Sequence, residues 1–281
     1  VNADSMLVYR GMDIGTAKPT AAEQQGVRLH LIDILDVRDT ATVADFQQRA
    51  RAAIADCRAR GAQAIVVGGS ALYIRAIVDD FQFPGTDPAL RSRLQDDLAA
   101  LGPNQLHQRL AGLDPAAAGQ ILPDNGRRIV RALEVVTLTG RPFAASLPAR
   151  RYALPEVIQI GLDIDRPALD ARIADRVNGM WRAGLVAEVR RLADAGLREG
   201  LTASRALGYR QVLAFLAGEI GEDEARELTI TATRRFARRQ DSWFRKDPRI
   251  VWLAHDAADL VDQVLDRLGS AIQAPSVEMP D

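Results

Sequence analysis

The run Asp4-Ser5-Met6-Leu7-Val8-Tyr9-Arg10-Gly11-Met12-Asp13-Ile14-Gly15-Thr16-Ala17-Lys18-Pro19 constrains the fold of this chain more than any other stretch. Glycines at 11 and 15 and a proline at 19 break both the helical and the strand period, so the segment reads as a loop built to meet a ligand. It follows directly on Val1-Asn2-Ala3, the end of a short apolar strand. An acid at that point projects from a strand's carboxyl end, the edge where open parallel α/β sheets bind ligands. Asp4 is therefore a candidate general base or metal ligand, beside the plainer reading that it caps the next segment.

Short, mostly β-branched runs at 1–3, 29–34, 63–67, 157–164 and 249–253 predict strands, with helical periodicity between them. Within 42–60, Val43, Phe46, Ala50, Ile54 and Cys57 fall on one helix face. Residues 63–67 run into Gly68-Gly69-Ser70, a buried strand entering a turn, with Ser70 positioned to cap a helix from Ala71. From Pro84 to about Pro148 the strand signal disappears, and Asp87-Pro88, Gly102-Pro103, Asp114-Pro115 and Pro123-Asp124 punctuate short helices. This predicts a helical insertion over 85–145 within a discontinuous α/β core of 1–84 and 146–273. The polar, proline-containing residues 274–281 read as a disordered tail.

The 281 residues carry a net charge of −1, so attraction to a nucleic acid would have to come from local clusters. Arg127, Arg128 and Arg131 lie on one helical face, and Arg234, Arg235, Arg238, Arg239, Arg245 and Lys246 crowd a second helix. Either cluster alone is also what a solvated helix face looks like in an arginine-rich composition. The single cysteine, Cys57, reads as a core residue and excludes an internal disulfide, and His30, His107 and His255 do not have zinc-site spacing. No apolar run is long enough to span a bilayer and no signal-peptide pattern is seen, which leaves the cytoplasm as the expected location.

Residues 4–19 resemble the D-S-x-x-x-Y-x-G-M-D-I-G-T-A-K-P signature of the tRNA dimethylallyltransferases. Gly68-Gly69-Ser70-Ala71-Leu72-Tyr73 is similar to that family's G-G-[ST]-x-L-Y element, and Arg205-Ala206-Leu207-Gly208-Tyr209-Arg210-Gln211 to its G-Y-[RK]-Q element. Thr233 to Arg245 resembles its T-R-x-[FY]-A-[KR]-R-Q-x-[ST]-W-[FL] run, and the four elements keep the family's order. One cysteine and three histidines cannot supply the zinc finger of some eukaryotic relatives, so the resemblance is to the bacterial type.

The resemblance implies a phosphate-loop NTPase-like parallel α/β sheet with a helical insertion that contacts tRNA. It implies transfer of a dimethylallyl group from dimethylallyl diphosphate to N6 of the adenosine 3′-adjacent to the anticodon, with release of pyrophosphate, by a monomer using Mg²⁺. In that scheme Asp4 is the general base and Ser70 orients the amine or a diphosphate oxygen. Arg176 and Arg210 contact diphosphate. Contacts to tRNA fall on Asp4, Ser5, Met6 and Leu7, on Arg91, on Arg127, Arg128, Ile129, Val130 and Arg131, on Arg205, Gly208, Tyr209 and Arg210, and on Arg238, Arg239, Gln240 and Arg245. Trp243 is expected in the core.

The family's G-x-x-x-x-G-K-[ST] phosphate loop has no counterpart here. The expectation is a chain lacking the first strand, the phosphate loop and the first helix. Neighbouring strands would then lack a central partner, and the diphosphate cradle and the metal-holding hydroxyl would be absent, leaving the chain inactive as it stands. Two alternatives remain at this point: an adenine-nucleotide prenyltransferase, which would need neither the insertion nor the arginine clusters, and a non-catalytic RNA-binding remnant.

Overall fold

The structure, a computed structural model, describes residues 1–143 and 148–273. The expected tail at 274–281 and the expected end of the insertion near residue 145 lie outside the described residues. The chain divides into two compact units, Val1–Asp79 with Tyr152–Asp281, and Asp80–Arg151.

Helix α1 (Val43–Ala59) starts at Thr42, whose hydroxyl accepts the Asp45 N–H, and buries Phe46, Ala50, Ile54 and Cys57, the face given by the apolar spacing. Helix α2 (Ala71–Val78) buries its last turn, Arg75 to Val78. In the second unit, Pro88, Pro103 and Pro115 open α3 (Pro88–Leu101), α4 (Pro103–Leu113) and α5 (Pro115–Gln120), where a missing N–H leaves nothing unsatisfied. Asp87 and Asp114 cap α3 and α5 by accepting N–H groups of the first turn. Pro123 lies in the turn before α6 (Gly126–Thr139), which Asn125 caps and left-handed Gly140 ends. Leu90, Leu94, Leu106, Leu110, Ile129 and Leu133 give this unit its own core.

The first unit continues through β1 (Gln159–Asp163), α7 (Arg166–Arg182), α8 (Leu185–Asp194), α9 (Tyr209–Leu216), α10 (Glu222–Phe244), β2 (Ile250–Ala254) and α11 (Leu260–Gln273). Strands β1 and β2 pair in parallel, with Gln159 opposite Ile250 and Asp163 opposite Ala254. The amino-terminal strands are thinner than the sequence suggests. Asn2 bridges Val67 and Tyr9 bridges Leu35, both in parallel and each as a single bridge. The predicted strand at 29–34 is a correction. Leu31 and Asp33 take φ of 64° and 55°, a left-handed conformation that cannot continue a ladder, and the segment is held by separate bonds: the Asn2 N–H to the His30 carbonyl and the Ile34 N–H to the Val8 carbonyl.

Among the described residues the one sheet is the β1–β2 pair, and the amino-terminal bridges add no further ladder. Val67 is bonded to Val1 and Ala3 on one side, and β1 to β2 on one side. Ile65, Val67 and Leu162, on these segments, are 67%, 65% and 56% exposed.

The segments that lead out to the helical unit and back are tied together. Asp79 bridges Tyr152 in antiparallel fashion, and the Ala153 N–H donates to the Val78 carbonyl. The second compact unit thus begins at Asp80 and ends at Arg151.

Candidate functional site

Ala3 is fully buried, and the chain emerges at half-buried Asp4. Asp4 Oδ1 accepts the Met6 N–H at 2.7 Å, an Asx turn that reverses the chain and fixes the carboxylate. Among the described residues no hydrogen bond reaches its Oδ2, which leaves one oxygen free to take a proton. Gly68 packs directly on the same strand end, where a Cβ would overlap the Ala3 carbonyl, so only glycine permits the approach.

Ser70 stands at the N-cap of α2, but its hydroxyl does not cap the helix. It accepts the Ser5 N–H at 3.1 Å and donates to Ser5 Oγ at 3.2 Å, which joins the two strand ends. Gln240 of α10 donates its Nε2 to the Gly69 carbonyl at 2.8 Å, so three distant motifs meet in one patch. Burial, then Tyr9 and Asp4 nearby, push the Tyr73 hydroxyl up to about 12, so it borders the patch as a neutral group at physiological pH.

The remaining sequence-derived residues divide by accessibility. Arg176 on α7, Arg205, Arg210, Arg238 and Arg239 are exposed, with Arg239 stacked 5.8 Å over Phe236. Arg210 lines a cavity of about 430 Å³ with Arg198, Leu213, Glu219, Ile220 and Leu228, none of which belongs to the Asp4 patch. Met6 and Leu7 are half-buried. Gly208 and Tyr209 are buried, Tyr209 completely. Exposed Arg245 donates to Asp163 and Asp241 and lies 3.8 Å over the Trp252 ring. Trp243 is half-buried, edge-on to Phe244 at 5.8 Å.

In the helical unit Arg127 and Arg128 are exposed, whereas Ile129 and Val130 are buried in the core. Arg91 and Arg131 both bind fully buried Glu134, at 2.5 and 2.6 Å. Burial alone would raise the Glu134 carboxyl, but hydrogen bonds from Arg91, Arg131 and the Asp87 N–H hold it below the usual range.

Sequence reasoning also missed Glu188. This acid sits on α8, is 7% exposed, and accepts hydrogen bonds from the Asp13, Ile14 and Gly15 N–H groups and from the Tyr209 hydroxyl. Its one signal was position: an acid on the same helix face as Leu185, Val189 and Leu192, all buried.

Residues 7–247 match the IPP transferase family. The tRNA dimethylallyltransferase of Kineococcus radiotolerans is 62% identical over 278 residues, covering 98% of this chain and 87% of that protein. That of a Nocardioides species is 60% identical over 272 residues, covering 97% and 88%. Among solved structures, the full-length tRNA isopentenylpyrophosphate transferase of Bacillus halodurans superposes with a TM-score of 0.68 at 35% identity, covering 96% of this chain and 88% of that one. Among the described residues no helix is long and apolar enough to cross a membrane.

Proposed function

Because this chain belongs to the IPP transferase family, we propose that it transfers a dimethylallyl group from dimethylallyl diphosphate to N6 of the adenosine 3′-adjacent to the anticodon of tRNA, releasing pyrophosphate. One observation carries the reading at the level of chemistry. Asp4 is fixed through Oδ1 with Oδ2 left open, and the next residue, Ser5, is hydrogen-bonded to the Ser70 hydroxyl. The adenine amine is a poor nucleophile because its lone pair is delocalised into the ring. As the N6–C1 bond forms and the C1–O bond to diphosphate breaks, a proton must leave N6, and Asp4 Oδ2 accepts it. The base reaches Asp4 only after turning out of the stacked loop. The Ser70 hydroxyl orients the amine or a diphosphate oxygen.

Among the described residues no three His, Cys, Asp or Glu side chains converge as a metal cage. Mg²⁺ would be held mainly by the hydroxyl of a phosphate loop together with the diphosphate oxygens, where it would neutralise the leaving group. The diphosphate cradle is proposed to come with a further strand and phosphate loop, a reading supported by the exposed apolar side chains of Ile65, Val67 and Leu162. The protein is taken to act as a cytoplasmic monomer.

The deciding experiment is prenyl transfer to an unmodified anticodon stem-loop, read by nucleoside mass spectrometry, with this chain and with a version carrying a phosphate-loop segment. Transfer by the second version alone is expected. Prenylation of AMP in place of the stem-loop would move the assignment to a nucleotide enzyme, and RNA binding without transfer by either version would leave a binding remnant.

Exposed Arg127, Arg128, Arg205, Arg238 and Arg239 are the proposed phosphate contacts. Arg238→Ala or Arg127→Ala should weaken stem-loop binding and flatten the slope of log K against log salt by about 0.7 to 0.9 each. An unchanged slope would reject the assignment of that residue.

A further inference from the structure

We propose that Glu188 is an internal anion that organises the Asp13–Gly15 loop and, with Tyr209, positions the polypeptide carrying Asp4; the consequence for catalysis rests on the transfer reading above. Three consecutive backbone N–H groups converging on one point form an anion nest, the arrangement that elsewhere grips a phosphate oxygen. Here the nest is filled from within. Glu188 Oε2 accepts Asp13 N–H at 3.1 Å and Ile14 N–H at 2.8 Å, while Oε1 accepts Gly15 N–H at 3.3 Å and the Tyr209 hydroxyl at 2.5 Å. Among the described residues no cation pairs with it, so four hydrogen-bond donors alone balance a buried charge.

The other side of the loop is closed by its own residues. Thr16 Oγ1 donates to the Met12 carbonyl at 2.6 Å, and the Lys18 ammonium reaches the Tyr9 carbonyl, Asp13 and Asp33. Gly15 lies so close to the Tyr209 ring that a Cβ would overlap it. Ala3, Val8, Tyr9 and Met12 share one core with Leu185, Val189 and Tyr209. The stretch that begins at the strand end next to Asp4 is thus anchored in the core at Val8, Tyr9 and Met12 and pinned at its far end by Glu188. An amide loop that looks built for an external anion acts as a structural lock, and the tyrosine of the G-Y-R-Q element is part of that lock.

Chemical rescue tests this directly. Glu188→Ala opens a hole the size of a small carboxylate, and formate is expected to raise the melting temperature of that variant, with no effect on the parent and none from chloride at equal ionic strength. Amide exchange at residues 13–15 should accelerate in the variant and slow again with formate. In the transfer-competent chain, Glu188→Gln, which sets an NH₂ group against N–H donors, should lower kcat by about tenfold to a hundredfold with stem-loop KM within twofold. Formate should recover kcat in Glu188→Ala but not in Glu188→Gln. Exchange at 13–15 equal to the parent, or accelerated exchange with an unchanged kcat, would overturn the proposal. If Glu188→Ala does not fold, Tyr209→Phe, which removes a single donor, carries the same two measurements. Absence of transfer by the parent would count against the functional reading alone, because the formate and exchange results do not depend on it.

Discussion

Asp4→Asn is expected to lower dimethylallyl transfer by roughly 10²- to 10⁴-fold, the usual contribution of a general base, while leaving stem-loop affinity nearly intact. The separation follows from the geometry. Oδ1 makes the structural bond, to the Met6 N–H, and an asparagine can keep its carbonyl there. What changes is the group at the second position, an oxygen that accepts a proton in aspartate and an NH₂ that cannot in asparagine. Neither the Asx turn nor the packing of Gly68 on Ala3 is touched, so the substitution removes chemistry and spares the fold. Single-turnover transfer and equilibrium binding, measured side by side on the chain carrying a phosphate-loop segment, check both halves. Transfer equal to the parent would remove Asp4 from the mechanism.

The parts of this arrangement that were legible in the sequence are those set by neighbours along the chain. Asp87 and Asp114 ahead of proline mark helix starts because cap and N1 are adjacent positions, and the α1 face is a matter of period alone. The partners that finish the site are far away in sequence. Gln240 meets Gly69 across 171 positions and Glu188 meets Asp13 across 175, and no periodicity tells a buried acid which amides it will find. Tyr209 is one such case: the absence of a side chain at Gly15, far away in sequence, gives its ring a place to bury. The run at 29–34 has strand composition, yet left-handed Leu31 and Asp33 turn it into bends, a choice made by tertiary contacts such as the Asn2 side-chain amide on the Leu31 carbonyl.

The largest stability effect is expected at Asp79, which is fully buried at the end of α2. Its carboxylate accepts from Arg75 Nε at 2.7 Å and from Arg249 at 2.6 and 3.2 Å, and Arg249 also binds Asp247 and lies 4.2 Å over the Tyr152 ring. The hydrogen bond to Asp247, opposed by burial and reinforced by Asp79, raises the Arg249 pKa, so its charge persists throughout the accessible pH range. Asp79→Ala would leave two largely buried guanidinium groups sharing one fewer carboxylate, and removing one member of a buried ion network typically costs about 3–5 kcal/mol. The adjacent pair gives the control. Asp80 and Arg151 are bonded at 2.6 Å, but their side chains are 38% and 68% exposed, so Asp80→Ala should cost no more than about 1 kcal/mol. Urea denaturation of the two variants separates these outcomes, and equal losses would show that the Asp79 network carries no special weight. Because α2 begins at Ser70 and Arg249 leads into β2, loosening at Asp79 should reach the Ser5–Ser70 contact before it reaches the helical unit, which has a core of its own. Faster amide exchange at Ser5 in Asp79→Ala, with α3 to α6 unchanged, is the expected pattern.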